Sequence, residues 1–595
     1  MKKTILALAL AGVLGGCSLD GDDGAIGQQG PQGEQGPQGG QGEQGEVISG
    51  DVELTLIGRS VLNVESPEGA AEIVAFHHRT KQIYAINSSG DNATVEIISA
   101  DHFDTAALAP DNEGVISATN LAITMTLDVS ANTPGDANSI AIDETNQLLA
   151  VAMAGDTGVK GHIAFYDISG AEPVFKRNVE VGYLPDMVTF TPDGSKVVVA
   201  NEGEPAGDYS VDPEGSISVI AIVDAEPAST SSSISFSQFN DEQAQLAEQG
   251  VMFANPAGRT IKGQLIDTTV AMDLEPEYVA ISADSKTAYV SLQENNALAV
   301  VDLTDLSVEV RALGFKDWSN LMLDASDKDG GINFKKYPGL YGMYQPDTIA
   351  TYQWQGANFV VSANEGDGRE YFFDSSDEAS CLAEGGLEYD EDDGCLAYID
   401  ESRAEDLDLA DNFSYVNNDD DDIGRLIVST ERGDINNDGR YEELYAYGAR
   451  SFSIWDANTD LVFDSGDDVG RITAAIHGQS FNNNEDENEG DTRSDAKGAE
   501  PEALAIGQIE GRTYAFIGLE RMSGIMVYDI TNPFDVKFKN YAYNRGVVEG
   551  AEITGDLAPE GMKFVAADKS PNGQPLLIVG NEISGSVSVW QVNLK

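Results

Sequence analysis

Behind an acidic residue, apolar positions recur with a period of two, and this pattern returns along nearly the whole chain. It reads Ala71-Glu72-Ile73-Val74-Ala75-Phe76, Pro185-Asp186-Met187-Val188-Thr189-Phe190 and Pro276-Glu277-Tyr278-Val279-Ala280-Ile281. It returns as Pro346-Asp347-Thr348-Ile349-Ala350, Pro501-Glu502-Ala503-Leu504-Ala505-Ile506 and Pro559-Glu560-Gly561-Met562-Lys563-Phe564. A copy without the acid is Asn138-Ser139-Ile140-Ala141-Ile142. Such alternation predicts half-buried strands. After a turn comes a second strand that often ends in an acid, at Glu202, Glu294, Glu365, Glu520 and Glu582. A third usually follows, such as Leu298–Leu303 or Ile525–Ile530. One strand-rich unit repeated about seven times predicts an all-β radial or solenoidal array.

Val52 to Leu56 alternates too, and is expected to supply the outer strand of a unit closed by the C-terminus. Closure of that kind removes edges that would pair with other chains. Polar stretches near 225–270, 304–340 and 374–425 are expected to be inserted loops or side elements, with a short helix at Glu242 to Gln249.

The formal charge is −67, from 34 basic and 101 acidic residues. That excludes nucleic acid as a partner, because binding it needs cationic side chains to replace its counterions. Hydrophobic residues make up 41% of the chain, enough for a large core, so this is not an acidic disordered protein.

The first residues read as an export signal. Lys2 and Lys3 precede the apolar run Thr4 to Val13, and Leu14-Gly15-Gly16-Cys17 resembles a bacterial lipoprotein lipobox. The resemblance implies a signal peptide over 1–16 and a lipidated Cys17 held in a membrane, with Ser18 favouring the outer membrane of an exported protein. Glycine then recurs at every third position from Gly24 to Gly45, with Pro31 and Pro37 directly after Gly. This collagen-like tract, within 17–46, is either a trimeric stalk or a flexible spacer. The remaining Cys381 and Cys395 are expected to pair in an oxidising compartment.

In a radial array, matching positions on the first strands face one another across the axis. Glu72, Asp186, Glu277, Asp347, Glu502 and Glu560 would then converge, with Glu202, Glu365, Glu520 and Glu582 beside them. Two carboxylates about 6 Å apart repel by roughly 3 kcal/mol at an effective dielectric near 20. Such a ring needs protonation, pairing with cations such as Arg369 and Arg521, or a bound hard cation such as Ca²⁺.

A second oxygen-rich segment is local. Asp434, Asn436 and Asp438 occupy positions one, three and five of a calcium-type loop, with Gly439 sixth and Glu442 ninth. Tyr445 stands where an EF-hand has its closing Glu, a role Glu443 could take. The chain carries no H-E-x-x-H, G-x-S-x-G or G-x-x-x-x-G-K-[ST]. His77, His78, His102, His162 and His477 show no ligand spacing beyond one adjacent pair.

Several stretches resemble the choice-of-anchor I family of exported proteins, related to a mesenchyme-specific cell-surface glycoprotein. They include Gly69–Ala75, Asn201-Glu202-Gly203-Glu204-Pro205, Asn364-Glu365-Gly366-Asp367, Gly448–Ile454, Gly511–Asp529 and Pro559 through Glu582. The resemblance covers about 51–593 and implies a seven-bladed β-propeller over 47–595, behind the signal peptide and collagen-like stalk. Arg369, Arg493 and Lys497 fall in family-like stretches and are anion-binding candidates by position. Where the family has Gly after Pro-Glu, this chain has Ala503. Some members carry an alkaline-phosphatase label, but no phosphatase nucleophile is matched here.

The expectation is therefore a lipid-anchored, calcium-binding recognition or adhesion module whose surface ligand is unidentified. The alternative is a calcium-dependent phosphoesterase, with metals on the channel carboxylates and a phosphoester held by Arg or Lys.

Overall fold

The computed structural model describes residues 52–595, apart from 63–66, 68, 91, 102–105 and 486. The expected signal peptide, Cys17, the tract expected to be collagen-like and His102 lie outside the described residues.

Seven antiparallel sheets follow one another along the chain. Their first strands are Ala70–His77, Ala137–Asp143, Pro185–Phe190, Val279–Ile281, Ile349–Trp354, Pro501–Ile509 and Pro559–Val565. Each first strand contacts the next, and the seventh contacts the first, so the strands close a cycle around one channel. The seventh sheet is completed from the other end of the sequence. Val52–Val61 pairs with Ser586–Leu594 in antiparallel register, from Val52 opposite Leu594 to Val61 opposite Ser586.

The period of two explains how the sheets pack. Alternate side chains on a strand leave by opposite faces, and here each face meets a neighbouring sheet. Val197 and Val199 join a cluster with Ala150 and Phe165 of the second sheet. Val198 and Ala200 join one with Val279 and Val290 of the fourth. Five more clusters fill the other interfaces, the last joining Ile578 and Val589 of the seventh sheet to Val74 and Ile83 of the first. Fully burying each such side chain contributes roughly 1.5–3 kcal/mol.

The fifth sheet is interrupted. Its strands Ala357–Asn364 and Ser451–Asp456 are hydrogen-bonded neighbours, yet residues 365–450 come between them. That segment forms a small three-stranded sheet and a helix, Glu378–Glu384, and a buried disulfide joins Cys381 of the helix to Cys395 of the sheet. It also contributes Glu401–Arg403, Ile427–Ser429 and Leu444–Ala446 to a side sheet with Leu340–Met343 and Phe315–Asp317. A separate core of Trp318, Tyr337, Phe413 and Leu426 supports this side sheet. Within the stretch expected to be inserted near 304–340, Ser307–Ala312 is the outer strand of the fourth sheet. The short helix is present at Gln243–Gln249.

Candidate functional site

The acids reach the channel through a repeated local device. The residue before the proline takes a left-handed backbone at Leu184, Gln345, Glu500 and Ala558, with φ of 44°, 40°, 54° and 56°. A bulge follows, and regular pairing lapses between Pro185 and Val188, Pro501 and Leu504, and Pro559 and Met562. Asp186, Glu502 and Glu560 lie in these bulges, a setting that re-aims a side chain out of the pleat. In the first sheet Ala71, with φ of 61°, precedes Glu72 inside a similar lapse.

The same device places the second-strand acids. The carbonyls of Leu184, Glu500 and Ala558 accept the N–H groups of Glu202, Glu520 and Glu582 at 2.9, 2.8 and 2.9 Å. Gly561 lets the seventh sheet approach the first, since a Cβ there would lie 2.5 Å from the Glu72 carbonyl oxygen. In the sixth sheet Ala503 is accommodated by Gly518, whose own Cβ would meet that of Ala503 at 2.7 Å.

Glu72, Asp186, Asp347 and Glu560, from four sheets, line one cavity of about 80 Å³ with Tyr278. Glu277 and Glu502 feel this group electrostatically: Asp347 acts on both, and Glu560 on Glu502. The carboxylates keep some exposure to the channel, except Glu277, which is 7% exposed. One oxygen each of Glu277, Glu294, Glu502 and Glu560 is buried without a hydrogen-bond partner.

Enclosure and crowding raise the carboxyl pKa values. Burial, then Glu582, Asp186 and Asp347, push Glu72 up to about 8. Burial and Glu294 push Asp186 up to about 7, and burial and Glu294 do the same to Glu204. Asp347, Glu202, Glu277, Glu502, Glu520 and Glu560 move the same way, each through burial first and neighbouring carboxylates second.

One sector of the ring behaves differently. Glu365, Glu500 and Glu520 bring carboxylate oxygens within 4.8 Å of one another. Lys497 sits among them, 2.8 Å from Glu365, 3.2 Å from Glu500 and 3.6 Å from Asp367. Arg493 and Arg521 also reach Glu500, at 2.7 and 3.0 Å. Burial pushes Glu500 up, but Lys497, Arg493 and Arg521 outweigh it and hold the carboxyl below its ordinary value. Arg369 is buried with Asp273 and lies 2.6 Å from Glu275. All three anion-binding candidates thus engage carboxylates of this chain.

The loop at 434–443 has its own hydrogen-bond network. The Asp434 carboxylate accepts the N–H groups of Asp438 and Gly439 at 3.0 and 2.8 Å. Asn436 donates to Glu442 at 2.7 Å, and Glu442 accepts the Ile435 N–H at 3.0 Å. Glu443 instead accepts from the Tyr445 hydroxyl at 2.5 Å. So Asp434, Asn436, Asp438 and Glu442 share one turn, and Glu443 is held by Tyr445 of the strand that follows it.

Sequence reasoning passed over Glu275, Glu500, Glu204 and Tyr278. Three of them immediately precede a proline, as Glu275-Pro276, Glu500-Pro501 and Glu204-Pro205, and that acid–proline step is the signal that would have found them.

A cycle of antiparallel sheets around a central channel defines a β-propeller. The choice-of-anchor I domain model matches residues 72–533, and the chain belongs to that family. Gigasin-3a of Magallana gigas is 31% identical over 185 residues, covering 29% of this chain and 64% of that protein. The mesenchyme-specific cell surface glycoprotein of Strongylocentrotus purpuratus is 30% identical over 324 residues, covering 50% of this chain and 40% of that protein. The chain therefore spans less than two thirds of the length of either relative. Among solved structures, Kuenenia stuttgartiensis hydrazine synthase aligns with 90% of this chain and 99% of its own at 12% identity and a TM-score of 0.39. The WD40 domain of Toxoplasma gondii coronin aligns with 92% of this chain and 89% of its own at 8% identity and a TM-score of 0.38. Among the described residues no helix is long and apolar enough to cross a membrane.

Proposed function

We propose that this chain is an exported, seven-bladed recognition or adhesion module that holds calcium on its channel carboxylates and presents its rim loops to a surface ligand. A lipid on Cys17 would tether it to the outer membrane, and the Gly-rich tract would lift the propeller away from the bilayer. Its relation to a cell surface glycoprotein supports display outside the cell.

One observation carries the calcium reading. Glu72, Asp186, Asp347 and Glu560 share an 80 Å³ cavity, and no ion pair to any of the four is formed among the described residues. Lys497, Arg493 and Arg521 compensate the Glu500 sector instead. Calcium takes six to eight oxygen ligands in flexible geometry, which an all-carboxylate ring with water access can supply. The turn at Asp434, Asn436, Asp438 and Glu442 is proposed as a second, weaker site of the same chemistry.

Calorimetric titration of the purified chain should show bound calcium. Free calcium at a hundredfold its dissociation constant should add about 2.7 kcal/mol of stability. An unchanged melting temperature in chelator, with no calcium bound, overturns the reading. Phosphate released from a generic ester with calcium, and lost on Glu502→Gln, would favour the phosphoesterase instead.

A further inference from the structure

Calcium accounts for the carboxylates but not for the space beside them. A cavity of about 650 Å³ adjoins the acid-lined one, and both have Ile73, Ser139, Met187 and Tyr278 in their walls. Much of the larger wall is apolar, including Val188, Ile281, Ile506 and Phe564. A hydrated calcium ion has no use for such a wall, whereas a volume of this size, walled about equally by apolar and polar surface, can admit a small amphipathic organic ligand.

The charge along this space is polarised. Glu560 opens the strand Pro559–Val565 at the acid end. Three residues further along the same strand, past the bulge, is Lys563, with a backbone separation of at most roughly 10 Å. Lys563 and Lys569 line the larger cavity and not the acid-lined one. Neither forms an ion pair among the described residues. The nearby acid, Glu144, is engaged by His78 at 2.7 Å and His77 at 3.4 Å. Enclosure between the sheets, then the Lys569 ammonium, lowers the Lys563 pKa and Glu144 opposes it, while both lysine side chains keep access to solvent.

We propose that the channel binds a linear aliphatic zwitterion, an ω-amino carboxylate. Its ammonium would lie among Glu72, Asp186, Asp347 and Glu560, its methylenes along the apolar wall, and its carboxylate at Lys563 and Lys569. Aminooctanoate serves as the probe, because its extended length is similar to the backbone separation of Glu560 and Lys563. This inference goes beyond the calcium reading and competes with it, because both cations use the same carboxylates.

The test is calorimetric titration of the full chain, in chelator, with aminooctanoate, octylamine and diaminooctane. Aminooctanoate should bind tightest. Diaminooctane should be at least about tenfold weaker, because its second ammonium meets Lys563 and Lys569. Each methylene removed should weaken binding roughly fourfold. Lys563→Met should weaken aminooctanoate about tenfold and leave octylamine within about twofold. Glu560→Gln should weaken both, and a melting curve of each variant checks that it folds. Diaminooctane binding as well as aminooctanoate, or no amine binding at millimolar concentration, overturns the proposal. Added calcium should displace aminooctanoate. Amine binding that calcium does not affect leaves this inference standing and counts against calcium in the ring. Calcium binding without amine binding does the reverse.

Discussion

Lys497 shows what a single cation does in a crowded ring. Its ammonium touches carboxylates from two sheets' edges, Glu365 and Glu500, and lies near Asp367. Burial alone would lower its pKa, but Glu365, Glu500 and Asp367 hold it well above its ordinary value. Removing one partner of a buried pair leaves uncompensated charge, a larger penalty than the pair itself contributes. Lys497→Met is therefore expected to destabilise the fold by about 3 kcal/mol in urea unfolding. A loss below about 1 kcal/mol would mean that Arg493 and Arg521 suffice for Glu500. The convergence of Glu72, Asp186, Asp347 and Glu560 was legible, because an acid stands at the same point of these four units, after a proline in three of them. The counter-charges were legible only as candidates: Arg369, Arg521, Arg493 and Lys497 could be named, but not which acids they meet, because Lys497 and Arg493 stand in a polar segment whose path cannot be read from periodicity.

At the scale of the element, the recurring proline–acid bulge is built on backbone that favours glycine. Ala558 is buried, has φ of 56°, and precedes Pro559. The left-handed region costs a non-glycine residue roughly 1–2 kcal/mol, while glycine loses more chain entropy on folding, about 0.5–1 kcal/mol. Ala558→Gly should therefore raise stability by about 0.5–1 kcal/mol, read as a higher melting temperature. A lowered melting temperature would show that the alanine methyl contributes more in packing than its backbone costs. Stretches with clean alternation, such as 52–56 with buried Val52, Leu54 and Leu56, were visible in the sequence because each side chain has a definite neighbour. Ser307–Ala312 was less visible. Its outward positions are Ser307, Glu309 and Arg311, so an outer strand reads as a polar loop. The helix Asp468–His477 and the break in the fifth sheet were hidden because sequence pattern does not report which distant strands pair.

For the whole molecule, the raised carboxyl pKa values make a signed statement about pH. Glu72 titrates near 8 and Asp186 near 7 in the fold, against about 4.3 and 3.9 in an unfolded chain. Below the unfolded values both states are protonated, and these groups add no pH dependence. Between the two values the folded state binds more protons, so stability falls as pH rises from about 4 to 8. Glu500 acts oppositely and in a lower window: its contribution is present above the unfolded value and is lost as the medium becomes more acidic. In chelator, melting temperature should decline between about pH 5 and 8, and Glu72→Gln should flatten the decline. Calcium should flatten it as well, by binding the ionised ring. A melting temperature that rises through this interval would contradict the crowded ring.

The pairing of Val52–Val61 with Ser586–Leu594 also imposes an order in time. A ribosome makes the first of these strands hundreds of residues before its partner, and contacts so distant in sequence form slowly. Until residue 594 is available, the strand that completes the seventh sheet has nothing to pair with. A chain that must cross a membrane before folding would thus be held open by its own topology until Ser586–Leu594 arrives to latch Val52–Val61.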